Sequence, residues 1–101
     1  MHRLLVLYGH PKDPDHFRRY YVETHVPLAM RLPGLRAGRY SFSPRALGGE
    51  PPYFCIFEGE FDSEDALMAA LGSDIGRAVA GDVANYASGG ATLLHFDAVE
   101  A

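Results

Sequence analysis

Tyr53-Phe54-Cys55-Ile56-Phe57-Glu58-Gly59-Glu60-Phe61 is the most strand-like segment of this 101-residue chain. It is dense in aromatic side chains and is set off by Pro51-Pro52 before it and Asp62-Ser63 after it. Successive side chains of a strand point to opposite faces, so Tyr53, Cys55, Phe57 and Phe61 share one face. Phe54, Ile56, Glu58 and Glu60 share the other, which starts apolar and ends charged.

Downstream, Ser63-Glu64-Asp65 supplies a cap and two acids for a helix whose apolar side is Ala66, Leu67, Ala70 and Leu71, and Gly72 stops it. A second helical stretch starts at Ser73, carries Ile75, Val79, Val83 and Tyr86 on one side, and ends before Ser88-Gly89-Gly90. Residues 91–98 form the last strand. Upstream, residues 44–52 are a Gly- and Pro-rich loop, and residues 35–43, with Tyr40 and Phe42, alternate weakly as a strand. Before that, Asp13-Pro14-Asp15 is a helix start, with Asp13 as cap and Pro14 in the first turn. Phe17, Tyr20 or Tyr21, Thr24 and Leu28 follow at helical spacing. Pro27 removes a donor and crowds the Glu23 carbonyl, which predicts a kink or a restart there. The helix stops by Leu32-Pro33-Gly34. The first strand, residues 4–8, is apolar on both faces.

Strand, helix, strand, strand, helix, strand is the α+β ferredoxin-like βαββαβ order, a four-stranded antiparallel sheet with its helices on one face, in a single domain over residues 1–101. The helices leave the other face uncovered, although the first and third strands put apolar residues on it. A homodimer with two sheets packed face to face into a barrel buries that surface.

Composition narrows the function. Hydrophobic residues at 48% and charged residues at 22% are those of a globular chain and exclude a disordered one. Nine Lys+Arg against 13 Asp+Glu, a net charge of −4, argue against nucleic acid or an anionic membrane as partner. No apolar run approaches the roughly 18–20 residues of a membrane span. The N-terminus lacks the pattern of a signal peptide, and one cysteine, Cys55, forms no internal disulfide, so a reducing cytoplasm is the expected compartment.

Five histidines are the first candidates for chemistry. His2 reads as a disordered terminal residue, and His10 and His16 as solvated. His95, between Leu94 and Phe96, either faces a cavity or makes a local hydrogen bond. His25, one residue past the Thr24 position of the helical stripe, reads equally as a boundary histidine bonded to Glu23 or a kinked carbonyl and as a pocket group beside aromatics. Tyr21 and Tyr40 are ligand-bonding hydroxyls or core residues. Asp82 is an exposed acid unless it orients a histidine. Neither metal-ligand spacing nor a dinucleotide fingerprint is present, so neither a metal nor a cofactor is expected. Cys55 reads as a small buried hydrophobe.

Phe17-Arg18-Arg19-Tyr20-Tyr21-Val22-Glu23-Thr24-His25-Val26-Pro27-Leu28, followed by Leu32-Pro33-Gly34, resembles the EthD-like family, named for ethyl tert-butyl ether degradation. The strand end Glu60-Phe61-Asp62-Ser63 and the helix end Asp82-Val83-Ala84-Asn85-Tyr86 before Gly89-Gly90 are similar too, so the resemblance spans nearly the whole chain. It implies a dimeric α+β barrel and a place beside catabolic oxidation systems, among relatives that include cofactor-free monooxygenases, isomerases and dehydratases. The family's histidine falls on His25, which favours the pocket role. The expectation is therefore an enzyme or accessory protein acting on a small apolar or aromatic carbonyl compound. In it His25 is acid or base, Tyr21 or Tyr40 polarises the oxygen, and Phe17, Leu28, His95 and Asp82 are the other ligand contacts. The alternative is a ligand- or partner-binding barrel without turnover. Haem handling with His25 or His95 as axial ligand has no motif behind it.

Overall fold

The computed structural model describes residues 1–101. In chain order it comprises β1 (His2–Gly9), α1 (Pro14–Tyr20), a π-helical turn (Tyr21–His25), α2 (Val26–Ala29), β2 (Ala37–Phe42), β3 (Tyr53–Phe61), α3 (Glu64–Gly72), α4 (Asp74–Asp82), a 3₁₀ turn (Val83–Asn85) and β4 (Ala91–Asp97). The four strands form one antiparallel sheet in the order β2-β3-β1-β4. This is the α+β ferredoxin-like arrangement expected from the element order.

Burial alternates strictly along β1: His2, Leu4, Val6 and Tyr8 are buried, and the residues between them half-buried. Leu4, Val6 and Tyr8 join Cys55, Phe57 and Phe61 of β3 in one core with Phe17, Tyr21, Leu67, Ala70 and Tyr86. All the helices therefore cover the same face of the sheet. On the opposite face Leu5, Leu7 and Ile56 are only half-buried, and Leu94 and Phe96 are 49% and 44% exposed. Arg3 and Arg39 pair with Glu58 and Glu60 beside that patch.

Capping follows the sequence. Asp13 Oδ1 accepts from the His16 N–H at 3.0 Å, and Ser63 Oγ accepts from the Ala66 N–H at 3.1 Å. Ser73 serves two helices at once: its hydroxyl donates to the Ala70 carbonyl at the end of α3 and accepts from the Gly76 N–H at the start of α4. Gly76 is required at this crossing, since a Cβ there would lie 2.2 Å from the Ala70 carbonyl oxygen.

Two local expectations are corrected. His2 is an ordered member of β1, 2% exposed, because pairing with Asp97 across the sheet ties the terminus down. Phe54 does not share a face with Ile56. A bulge at Tyr8/Gly9 opposite residues 53–55 breaks the alternation and turns Phe54 into the core, with its ring 5.0 Å from Phe17. The restart expected at Pro27 is present: the π turn ends at His25 and α2 begins at Val26, with Pro27 in its first turn. No helix is long and apolar enough to cross a membrane.

Candidate functional site

The π turn decides which side chains face the core. The Val26 N–H reaches back five residues to the Tyr21 carbonyl, so this turn holds one residue more than an α-helical one. A regular helix would continue the inward stripe from Phe17 and Tyr21 to Thr24 and Leu28. The extra residue moves it to His25 and Ala29. Both are buried, whereas Thr24 is exposed and Leu28 half-buried. His25 thus stands in the stripe rather than beside it.

Its partner comes from α4. Asp82 Oδ2 accepts from His25 Nδ1 at 2.9 Å, with side-chain exposures of 11% and 4%. The other carboxylate oxygen accepts from the Tyr20 hydroxyl at 2.5 Å and from the Asn85 amide at 3.0 Å. The reading of Asp82 as an exposed acid is therefore corrected: three donors hold it against the helix pair. Burial pushes the Asp82 carboxyl up, but hydrogen bonds from Tyr20, Asn85 and His25 outweigh it and hold the group below its ordinary range. Burial lowers the His25 imidazole below its ordinary value, and Asp82 offsets only part of that. Near neutral pH the pair is a carboxylate and a neutral imidazole. A carboxylate only accepts, so the proton sits on Nδ1 and Nε2 presents a lone pair with no protein partner.

An apolar cavity of about 70 Å³ lies between the sheet and the helices, reaching His25 and Tyr21 from Leu4, Val6, Phe57, Val79 and Val83. Leu93 of β4, 54% exposed, forms its outer edge. The Tyr21 ring stacks on the His25 ring with centroids 5.5 Å apart and 19° between planes, and its hydroxyl is buried without a partner. Burial raises the pKa of that hydroxyl strongly, so it remains a donor. Tyr86 packs on His25 at 4.6 Å and spends its hydroxyl on Tyr8 at 2.7 Å.

Of the candidates read from sequence, the structure gathers His25, Tyr21 and Asp82 at one place. Phe17 is fully buried and stacks behind Tyr21 at 5.4 Å, outside the cavity wall. Leu28 also lies outside that wall. Tyr40, on β2, is 38% exposed and touches the edge of the Tyr21 ring at 5.4 Å without lining the cavity. His95 is exposed on β4 and bonds His2 instead. Sequence reasoning missed Asn85 and the role of Tyr20. The signals were faint: Asn85 is three residues after Asp82, and Tyr20 competes with Tyr21 for one stripe position.

The sequence matches the EthD domain over residues 10–90. An uncharacterized 11.0 kDa protein from the thcB-thcC intergenic region of Rhodococcus erythropolis is 37% identical over 101 residues, covering 96% of this chain and 94% of that one. An EthD family protein from Bacillus halodurans superposes with a TM-score of 0.90 at 29% identity, over 98% of this chain and 99% of that chain. More remote structures share the fold. A dimeric ferredoxin-like protein of unknown function from Thermobifida fusca has a TM-score of 0.70 at 16% identity, over 94% and 88% of the two chains. A cofactor-independent oxygenase from Streptomyces nogalater has a TM-score of 0.66 at 15% identity, over 99% and 93%.

Proposed function

The chain belongs to the EthD domain family, and on that premise we propose that it is an enzyme of an oxidative catabolic pathway that moves a proton on a small apolar or aromatic carbonyl compound. The carrying observation is the Asp82–His25 pair, whose free Nε2 belongs to a residue of the same apolar cavity wall as the unpartnered Tyr21 hydroxyl. His25 Nε2 takes a proton from the carbon beside the carbonyl, and the C–H electron pair becomes the carbon–carbon double bond of an enolate. Tyr21 donates to the oxygen that gains the charge, and Asp82 stabilises the imidazolium. Return of the proton to another atom gives an isomer. Reaction of the carbanion with dioxygen as oxidant gives an oxygenated product, the class of chemistry named for the Streptomyces nogalater neighbour.

An engineered apolar cavity that holds benzene is on the order of 150 Å³. The space here is about half that, so it receives the reacting end of the substrate, and a whole ring enters only if Leu93 or α4 moves. Deuterium exchange into enolisable aryl ketones in D₂O, followed by NMR, tests the reading. His25→Ala should lose about 10²–10⁴-fold in exchange rate. Undiminished exchange in that variant overturns the role of His25, and tight binding without exchange by the wild type favours the non-catalytic barrel.

We infer further that two copies pack through the open sheet face. Leu5, Leu7, Ile56, Leu94 and Phe96 support this, as does the dimeric Thermobifida fusca neighbour. A cytoplasmic location suits the single buried thiol, Cys55, whose pKa burial pushes up to about 12, leaving it protonated and inert.

A further inference from the structure

We propose that His2, His95 and Glu64 form a binding site for a divalent transition-metal ion of the zinc type, with Asp97 orienting His2. The site is independent of the proton-transfer reading above.

Three elements converge to make it. His2 opens β1, and Asp97 and His95 lie on the same face of β4, opposite His2 and Leu4 respectively. Glu64 begins α3, three residues after Phe61, which pairs with His2 from the other side. One donor atom from each of His2, Glu64 and His95 lies within 4.8 Å of the others. No sequence motif reveals this, since His2 and His95 are 93 positions apart.

The orientation of His2 gives the cluster its chemistry. The ring is buried, and its Nδ1 donates to Asp97 Oδ1 at 2.6 Å. That bond fixes the tautomer and leaves the Nε2 lone pair to accept from His95 Nδ1–H, 2.9 Å away, a proton whose place a cation bridging the two nitrogens would take. A carboxylate on one imidazole nitrogen with the other free for a cation is the usual outer-shell arrangement of metal-binding histidines. Two imidazoles and one carboxylate suit zinc and its neighbours better than magnesium or calcium, and three protein ligands leave a fourth position for water. Bond lengths of about 2.0–2.2 Å put tetrahedral ligands about 3.3–3.5 Å apart. His95 and Glu64 are exposed, so small side-chain rotations bring them to that spacing. Glu64 and Asp97 together balance the two positive charges. The site also adjoins the cavity, whose wall includes Leu4, opposite His95, and Leu93, the next residue on the same face of β4.

Titration of the full-length protein with ZnCl₂ by calorimetry tests the proposal, with the visible spectrum of added Co²⁺ as a second reading of coordination. The wild type should take up one ion per chain. His95→Ala should abolish saturable binding, Glu64→Gln should weaken it, and Asp97→Asn should cost 10–100-fold in affinity by releasing the His2 ring. Both ligand substitutions are at exposed positions, so the fold is not at stake. Absence of saturable binding by the wild type, or unchanged affinity in either His95→Ala or Glu64→Gln, overturns the site.

Discussion

His25 and Asp82, 57 positions apart in the chain, meet through one hydrogen bond of 2.9 Å between a π turn and the last residue of α4. The contact fixes the imidazole tautomer and makes Nε2 a base without a second protein partner. Replacing Asp82 by Asn removes the charge that partly offsets the burial of His25. The His25 pKa should then fall further below its ordinary value, read from the imidazole shifts in an NMR titration. A rise would refute the electrostatic account.

Stability should track the same proton. The unfolded imidazole takes up a proton near pH 6.5, whereas native His25 does so only at lower pH. Between those points the unfolded state holds more protons, so stability is full above about 6.5 and declines as pH falls toward the native value. Asp82, also depressed, adds a decline of the same sign below about 3.8. Thermal melts from pH 7.5 to 5 should show the first slope in wild type and a shallower one in His25→Gln. Equal slopes would mean that other groups carry it.

Tyr21→Phe should separate stability from activity. The hydroxyl it removes is buried and unpartnered, a condition that costs about 1–3 kcal/mol, so the variant should melt no lower and gain up to about 1 kcal/mol. If the hydroxyl stabilises an enolate, turnover should fall about 10²–10³-fold. Tyr8→Phe is the contrast, since it strands the Tyr86 hydroxyl 2.7 Å away and should lose about 1–3 kcal/mol. A Tyr21→Phe variant that is markedly destabilised would show that the hydroxyl has a structural partner in solution.

The open face makes a prediction about mass. Leu94→Asp with Phe96→Glu puts charge on two half-exposed positions and leaves the helix-side core untouched. Native mass spectrometry should show about twice 11.1 kDa for wild type and 11.1 kDa for the double variant. A wild-type monomer would remove the dimer.

Element order was legible because each boundary is written in local chemistry: Asp13 and Ser63 cap helices, Gly72 ends one, and alternation marks β3. What escaped was every feature set by a single inserted residue. The bulge that turns Phe54 inward and the π turn that turns His25 inward each shift a periodic pattern by one, and periodicity has no letter for that. Three members of the candidate site were legible, His25, Tyr21 and Asp82, while Tyr20 and Asn85 were not. Asp82 read either as an exposed acid or as one that orients a histidine, and the sequence left that choice open because two of its three donors, Tyr20 and His25, come from a distant helix.

The five-residue turn from Tyr21 to His25 also bears on how relatives are aligned. A π turn is an α-helical turn with one residue gained, and the flanking faces stay where they would be without it. Losing any one of the exposed residues Val22, Glu23 or Thr24 would leave a three-residue step from Tyr21 to the histidine in a regular α-helix and still bring the histidine to the inner face. Loss of that one extra residue is therefore neutral for the histidine's direction. A search that demands fixed spacing between the tyrosine and the histidine will discard chains that carry the same constellation.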